Sequence, residues 1–240
     1  MEKKEFNELM SYYGKKINIL FTEKQLEQFY NYMELLLEWN EKINLTSIVE
    51  PKEIILKHFI DSLTINKYIE KGIKFVDIGT GAGFPGIPIK IYRSDVEIVL
   101  VDSLNKRINF LNEVIKELKL EKIKTIHSRV EEFGKNKQYR EKFDIVTARA
   151  VANLAVLSEY LIPLNKKGGK CICMKGSEIE EECNKSKKAI SILGGKISKI
   201  DKFYLPESDI TRNLIIIDKI NLTPSKYPRK PGTPSKEPIE

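Results

Sequence analysis

The chain of 240 residues is 41% hydrophobic and 31% charged, which predicts a folded globular protein with room for one α/β domain and an extension. It contains no run of 18 apolar residues, and its first residues lack the apolar core of a signal peptide, so we expect no membrane association and a cytoplasmic location. The three cysteines, Cys171, Cys173 and Cys183, are odd in number and lack CxxC spacing, so neither a disulfide framework nor a bound metal is predicted.

The net charge of +7 is distributed unevenly along the chain. Residues 1–70 carry 9 Lys and 12 acidic side chains, a net −3, so that residues 71–240 carry +10. This excess favours a polyanionic partner such as nucleic acid, although a merely solvated, lysine-rich surface would have the same composition.

Residues 1–70 show helical periodicity without a strand pattern, and we predict that they form an N-terminal helical extension. The second helix of this extension begins at a capping box, in which Thr22 and Gln25 satisfy each other's backbone amides. Pro51 is typical of a first helical turn. The predicted helices span residues 5–13, 22–40, 51–59 and 60–68.

Residues 71–220 alternate between strand and helix patterns, which predicts a parallel sheet covered by helices. The predicted strands span residues 74–78, 97–102, 122–126, 143–147, 170–174, 196–204 and 213–218. The predicted helices span residues 85–92, 104–118, 153–161 and 177–193, and Ser103 and Ser177 are expected to cap two of them. The fold class is therefore α/β: a Rossmann-like, seven-stranded, mostly parallel sheet with a C-terminal antiparallel hairpin.

The first strand leads into a glycine-rich turn, DIGTGAGFPG, at residues 77–86. Glycines such as Gly79 and Gly81 permit positive φ and let a ligand approach bare backbone amides. A tight turn that binds nothing would show the same glycines. Residues 81–86 also fit GxGxxG, but Gly79 already follows the strand and Pro85 lies in the first helical turn, which disfavours a dinucleotide loop.

Parallel strands bring their carboxyl ends to one edge of a sheet, where ligands bind. Asp77 and the glycine turn follow the first strand, and Asp102 ends the second, where a carboxylate can accept hydrogen bonds from ribose hydroxyls. The next three strands lead to Val130 and Glu131, to Arg149, and to Lys175. This arrangement fits a nucleoside cofactor with basic groups beyond it.

The position of Asp77 narrows the choice of cofactor. A carboxylate in the turn would repel a pyrophosphate but suits a cationic ligand that carries an amino acid, and S-adenosyl-L-methionine is such a ligand. The pattern DxGxGxG, followed by an acid at the end of the next strand, is typical of Rossmann-like methyltransferases that use S-adenosyl-L-methionine. We therefore predict this cofactor.

The remaining side chains limit the methyl acceptor. Methylation at cytosine C5 needs a cysteine nucleophile, whereas the cysteines here have the pattern of small core residues. The Asn/Asp-Pro-Pro-aromatic segment typical of exocyclic amine methylation is missing from the sequence. A ring nitrogen with its own lone pair, such as guanine N7, needs only correct positioning.

The C-terminal residues 221–240 and His58 can each be interpreted from local sequence without any functional role. Residues 221–240 contain five prolines and four basic side chains, which excludes a helix or central strand and by composition predicts a disordered tail. His58, one of only two histidines, would serve as a half-buried packing residue.

Eight runs of the sequence together match the motifs of one family: WNEKINLTS (39–47), HFIDS (58–62), VDIGTGAGFPGIPI (76–89), VDSLNKRINFL (101–111), RVEE (129–132), TARAVANL (147–154), MKG (174–176) and YPRKPGTPSKEPI (227–239). This set, which spans almost the whole chain, resembles the bacterial small-subunit ribosomal RNA guanine-N7 methyltransferases, the RsmG or glucose-inhibited division protein B family. The FPG continuation of the turn, TARAV and PRKPGTPSKEP are its most specific parts.

The resemblance implies transfer of a methyl group from S-adenosyl-L-methionine to N7 of one guanine in 16S ribosomal RNA. It implies a cofactor site with a methionine side at Gly79 and Phe84, a ribose and adenine edge at Asp102, Ser103 and Leu104, an adenine contact at Val130 and Glu131, and Arg149 near the reacting methyl. Asp77 and Gly81 of the turn belong to the same predicted site. The resemblance also implies that His58, Asp61 and Ser62 face the site and that residues 221–240 form an ordered segment near the RNA.

We expect Arg149, Lys175, His58 and Asp61 to act in catalysis, and Arg229, Lys230 and Lys236 to contact RNA. The methylated N7 carries a positive charge, so these cations would contact phosphates and orient the RNA. The expected partner is 16S ribosomal RNA or the small ribosomal subunit, and the expected state is a monomer. A small-molecule methyltransferase, a nicotinamide dehydrogenase and a non-enzymatic RNA- or nucleotide-binding module remain as alternatives.

Overall fold

Seven strands between Lys74 and Lys219 form one sheet in the computed structural model, which describes residues 1–149, 151–176 and 178–239. Its strand order is β3-β2-β1-β4-β5-β7-β6. The strands are β1 Lys74–Ile78, β2 Glu97–Asp102, β3 Ile123–His127, β4 Phe143–Arg149, β5 Asn165–Lys175, β6 Gly195–Tyr204 and β7 Thr211–Lys219. Strands β1 to β5 are parallel, and β7 pairs antiparallel with both β5 and β6. The predicted mostly parallel sheet with a C-terminal antiparallel hairpin is confirmed.

The helices precede, connect and follow these strands. They are α1 Lys3–Lys16, α2 Glu23–Ile43, α3 Pro51–Ile54, α4 Asp61–Leu63, α5 Gly86–Tyr92, α6 Asn105–Glu117, α7 Val130–Lys135, α8 Leu154–Leu161, α9 Glu180–Ile192 and α10 Thr233–Lys236. A π-helical turn, Ile55–Ile60, joins α3 to α4, and 3-10 turns follow α4 and α8 at Thr64–Tyr68 and Ile162–Leu164. In the part of the chain that the structure describes, no helix is long and apolar enough to cross a membrane.

Two apolar cores cover opposite faces of the sheet, because successive strand residues point to opposite sides. In β2, Ile98 and Leu100 join the core formed with the N-terminal helices, α5 and α6. Their neighbours Val99 and Val101 join the core formed with α8 and α9. The N-terminal helices therefore share a hydrophobic core with the sheet.

The N-terminal helices form with two differences from the sequence prediction. The capping box is confirmed, since Thr22 and Gln25 exchange both expected hydrogen bonds. The helix continues past Trp39, whose ring centre lies 5.7 Å from that of Phe110, to Ile43, and Asn44 caps its end in the left-handed conformation. Residues 51–68 form one continuous helical segment with a π-helical turn at its centre, instead of two helices.

Two predicted helix starts also differ. Leu104 is the N-cap residue of α6, so the prediction that Ser103 caps this helix is wrong. The backbone amide of Leu104 is instead satisfied by the Asp102 carboxylate, 2.9 Å away. Helix α9 begins at Glu180 with Ile179 at its N-cap, and the predicted cap Ser177 lies outside the described residues.

The C-terminal segment is ordered through hydrogen bonds to its backbone. Arg140 donates to the carbonyl oxygens of Thr223, at 2.8 Å, and of Tyr227, at 2.6 Å. The expectation that proline excludes a helix here is wrong for one turn, because α10 has Pro234 in its first turn, where a missing amide costs nothing.

Candidate active site

The strand order reverses between β1 and β4, which places a crevice at their carboxyl ends. The glycine turn leaves β1 there, while Asp102 and Arg149 end β2 and β4. Because β7 runs antiparallel to β5, its first residues reach the same edge, where Asn213 pairs with Lys175. This edge therefore gathers side chains from the glycine turn and from four strands.

Asp77 holds the glycine turn from within. Its Oδ2 accepts hydrogen bonds from the Thr80 hydroxyl at 2.7 Å and from the Gly86 amide at 2.9 Å. The turn needs glycine, since Gly79 has φ +64° and Gly81 φ +60°. The second oxygen, Asp77 Oδ1, is buried without a hydrogen-bond partner among the described residues. Burial raises the pKa of this carboxyl to about 7, against the lowering effects of Thr80 and Gly86.

The space beside the turn differs from one glycine to the next. A Cβ added at Gly81 would meet only the Gly79 carbonyl oxygen, at 4.0 Å, so this side of the turn is open. A Cβ at Gly79 would lie 2.8 Å from Val151 Cγ2. Val151 therefore packs directly on the turn.

Asp102 fastens the same turn to the end of β2. Its Oδ2 accepts a hydrogen bond from the Gly81 amide at 2.9 Å, and Arg107 Nη1 lies 3.3 Å from this oxygen. Sequence reasoning missed Arg107, although its place in the first turn of α6 puts it within reach of the strand end. Beside Asp102, Ser103 is exposed and the Leu104 side chain is 42% exposed, which leaves an apolar surface next to the acid.

Val130 and Glu131 open α7, a helix that the sequence patterns did not predict. The Glu131 carboxylate is buried, and its Oε1 accepts a hydrogen bond from the Gly232 amide of the C-terminal segment at 2.9 Å. The adenine contact expected at Val130 and Glu131 stays a prediction. Because the Glu131 carboxylate is bonded to Gly232, the Val130 side chain and the local backbone are the groups that would make this contact.

Arg149 lies at the centre of a largely buried polar cluster. Its guanidinium donates to the Lys57 carbonyl at 3.0 Å and to Asp61 Oδ2 at 3.2 Å, and lies 4.9 Å from the centre of the Phe84 ring. Its Nη2 is 3.1 Å from His58 Nδ1. Because a guanidinium only donates, Nδ1 is the acceptor and His58 is neutral with its proton on Nε2. Burial, followed by the charge of Arg149, lowers the pKa of His58 to about 3.

Two of the sequence runs, residues 39–47 and residues 58–62, contact each other beside the π-helical turn. His58 stacks on Phe84 with ring centres 4.3 Å apart, and its Nε2 lies 3.0 Å from the Thr46 hydroxyl. Asn40 Oδ1 accepts hydrogen bonds from the amides of Leu45 and Thr46 and so fixes this connector. π-Helical turns occur frequently at functional sites.

Asp61 is shared between two arginines. It is 2% exposed, and its second oxygen lies 3.1 Å from Arg212 Nε. Arg212, at the start of β7, was missed by sequence reasoning, and no local pattern identifies it. The structure thus brings Asp61 and Arg149 together, with Arg212 as a third member, and the catalytic roles expected of Asp61 and Arg149 stay predictions. Ser62 instead donates to the His58 carbonyl within the helical segment.

Four predicted basic residues differ in whether their charge is paired within the protein or exposed. Lys175 Nζ lies 2.6 Å from Glu182 Oε1 and donates to the Ala152 carbonyl. Arg229 forms a two-pronged ion pair with Glu159, which is 1% exposed, with Nη2 and Oε2 2.7 Å apart. Lys230 is exposed, as is Lys236 of α10.

The cysteines are confirmed as core residues. Cys171, Cys173 and Cys183 are free and buried, and burial raises the pKa of Cys173 to about 12. A thiolate nucleophile is therefore disfavoured at this site. Among the residues that the structure describes, no three His, Cys, Asp or Glu side chains are grouped as metal ligands.

Three features test whether the site suits S-adenosyl-L-methionine. The unpartnered Asp77 Oδ1 matches an ammonium group, and the open side of Gly81 leaves room for a ligand against the turn. The exposed Leu104 next to Asp102 provides an apolar surface beside a hydroxyl acceptor. The residues present fit this cofactor.

Solved structures share the fold over about two thirds of this chain. TrmK from M. capricolum, solved with S-adenosyl-homocysteine, has a TM-score of 0.52 and 24% identity, and the match covers 68% of each chain. A SAM-dependent methyltransferase from Aquifex aeolicus has a TM-score of 0.52 and 15% identity, covering 70% of this chain and 93% of the other. At these identities the likeness shows the fold alone.

Sequence relatives are much closer. The protein named ribosomal RNA small subunit methyltransferase G from Clostridium novyi is 50% identical over 236 residues, covering 98% of this chain and 97% of its own. That of Desulforamulus reducens is 54% identical over 228 residues, covering 94% and 95%. The family model GidB, described as rRNA small subunit methyltransferase G, matches residues 25–214. This chain therefore belongs to the GidB family of rRNA small subunit methyltransferases.

Proposed function

We propose that this protein transfers a methyl group from S-adenosyl-L-methionine to N7 of a specific guanine in 16S ribosomal RNA, in the cytoplasm and as a monomer. The observation that carries the proposal is that two carboxylates, Asp77 and Asp102, accept hydrogen bonds from the Gly86 and Gly81 amides of one glycine turn, in a member of a ribosomal RNA methyltransferase family.

The proposed cofactor roles follow from where each polar group lies around the glycine turn. Asp77 Oδ1 would accept a hydrogen bond from the ammonium group, and Asp102 would accept one from a ribose hydroxyl. Leu104 and Val130 would contact the adenine, with Ser103 at its edge. Arg107 lies against Asp102 and would shift to share this carboxylate.

S-adenosyl-L-methionine supplies an electrophilic methyl group on a sulfonium. Guanine N7 has a free lone pair, so the chain needs neither a nucleophile nor a general base. The neutral His58 and the raised thiol pKa of Cys173 suit such a mechanism. The task of the protein is to orient the base and exclude water.

The Phe84, His58 and Arg149 stack is the part of the site best suited to orient a base. The Arg149 guanidinium cannot rotate freely, because it donates hydrogen bonds to Asp61 and to the Lys57 carbonyl. Lys175 pairs with Glu182, and Arg229 pairs with Glu159. Because both charges are neutralised within the protein, we assign these two side chains to positioning the chain segments that they join. On this view Lys230 and Lys236 provide the phosphate contacts.

The test is tritiated-methyl incorporation into 16S RNA and into small ribosomal subunits. Asp102→Ala should lose incorporation while keeping its circular dichroism spectrum. Asp218→Ala is the matched control, because Asp218 pairs with Lys170 at the opposite end of β7. Methylation of mononucleosides without salt dependence would favour a small-molecule methyltransferase, and RNA binding without any incorporation by the wild type would favour a binding module.

A further inference from the structure

Three side chains on one face of helix α2 donate hydrogen bonds to backbone carbonyls of the sheet domain, and Gln25 donates to two of them, those of Ile91 and Tyr92. Gln25 Nε2 donates to the Tyr92 carbonyl at 3.1 Å, and Gln28 Nε2 donates to the Leu118 carbonyl at 2.8 Å. Tyr32 donates its hydroxyl hydrogen to the Ala82 carbonyl. Spacings of three and four residues place these side chains along one side of the helix.

The first two contacts have an ordinary structural purpose. Tyr92 is the last residue of α5, and Leu118 is the C-cap of α6, so both carbonyls belong to helix ends, which lack partners within their own helix. The Tyr32 contact differs, because Ala82 lies inside the glycine turn, between Gly81 and Gly83.

The Tyr32 hydroxyl has little freedom. The side chain is fully buried, and its ring stacks on Phe59 with centres 5.3 Å apart and an angle of 23°. A Cβ at Gly83 would lie 2.7 Å from this hydroxyl, so helix and turn are in close contact. Burial raises the pKa of Tyr32 well above its usual value, which keeps the hydroxyl protonated and able to donate.

The glycine turn is therefore held from two directions. Asp102 fixes the Gly81 amide from the sheet, and Tyr32 fixes the Ala82 carbonyl from α2. Glycines at positive φ have many alternative conformations, and a binding site that is formed only part of the time loses apparent affinity in proportion.

We propose that Tyr32 is a positioning residue for the cofactor, and that through it the N-terminal helices hold the glycine turn in its binding conformation. This proposal rests on the proposed use of S-adenosyl-L-methionine. It assigns to α2 a role in cofactor affinity in addition to its packing.

The test is calorimetric titration of Tyr32→Phe with S-adenosylhomocysteine. The substitution keeps the ring and removes only the donor, and we expect Kd to rise about tenfold, the size expected when a buried carbonyl loses its partner. In turnover, KM for the cofactor should rise while kcat at saturating cofactor and KM for RNA stay within about twofold of the wild type. Replacement of Tyr32 by 4-aminophenylalanine, which restores a donor, should recover most of the affinity.

Two matched controls separate positioning from general stability. Gln28→Leu removes the same kind of bond from the same helix, so it should lower the melting temperature and leave Kd unchanged. Tyr30→Phe removes a hydroxyl from a half-buried tyrosine of α2 that has no hydrogen-bonding partner in the part of the chain described, and should change neither quantity. If Tyr32→Phe fails to fold, the 4-aminophenylalanine variant decides the matter, because a tenfold loss there despite the restored donor contradicts the proposal.

A melting temperature lowered by Tyr32→Phe with an unchanged Kd would overturn the positioning role and leave a packing role only. If the wild type itself does not bind S-adenosylhomocysteine, the proposed cofactor fails. If the wild type binds and Tyr32→Phe binds equally well, only the role of Tyr32 fails.

Discussion

The proposed pairing of the buried Asp77 carboxylate with the ammonium group of the cofactor predicts a cofactor affinity that depends on pH near neutrality. Burial raises its pKa to about 7, so the ionised fraction in the free protein changes steeply across this range. An ammonium group pairs with the ionised form alone. With a pKa of about 7, roughly a tenth of the carboxyls are ionised at pH 6 and roughly three quarters at pH 7.5, so the affinity should be about eightfold lower at pH 6.

The assay is calorimetric titration with S-adenosylhomocysteine at constant ionic strength between pH 6 and pH 7.5. His58 does not contribute in this window, because burial and Arg149 hold its pKa at about 3. Asp77→Asn is the matched variant, since its amide oxygen still accepts from Thr80 and Gly86 while the charge is lost. It should bind weakly and without this pH dependence.

Two results would refute this reasoning. A wild-type affinity that is flat over the range would show that Asp77 does not titrate there or does not meet the ammonium group. An equally steep profile for Asp77→Asn would assign the titration to another group.

Three further changes test other parts of the site. Asp61→Asn removes the carboxylate shared by two arginines and should lower the free energy of unfolding by about 3 kcal/mol, measured by urea titration, because two guanidinium groups then lie together unpaired. Arg229→Ala removes the cation paired with the buried Glu159 and leaves that carboxylate only the backbone amide of residue 229, so residues after 223 should become sensitive to limited proteolysis, and an uncut tail would contradict the anchoring role of Arg229. The double change Lys230→Ala and Lys236→Ala should reduce the slope of log K for 16S RNA against log salt by about 1 to 2 while leaving S-adenosylhomocysteine affinity unchanged. An unchanged slope would place the phosphate contacts elsewhere.

The sheet could be predicted because its signal is local. Each strand is a short apolar run bounded by turn residues, and each helix carries an apolar stripe. The predicted ends of strands and helices are less accurate than their positions, because pairing with a neighbouring strand can extend an element beyond its apolar run. Strand β5 begins at Asn165, five residues before its predicted start at Lys170, because Asn165 pairs with Phe143 before an irregular stretch containing Gly168 at φ +83°.

The meeting of Asp77 and Asp102 at the glycine turn could also be predicted, because parallel strands bring their carboxyl ends to one edge of the sheet. The partner of Asp61 could not, since Arg212 is 151 residues away and reaches the edge only because β7 runs antiparallel to β5. The pairing of Lys175 with Glu182 likewise depends on how α9 packs. Sequence shows where charges occur, whereas the fold decides which of them neutralise each other.

The most direct measurement of the central claim is N7-specific cleavage mapping of 16S RNA. Naked RNA and small ribosomal subunits would each be incubated with the protein and S-adenosyl-L-methionine, then cleaved at N7-methylated guanines and read by primer extension. We predict one new stop, at a guanine, which is lost with Asp102→Ala and retained with Asp218→Ala. Incorporation of methyl without a stop at any guanine, or no incorporation into either substrate, would contradict the account.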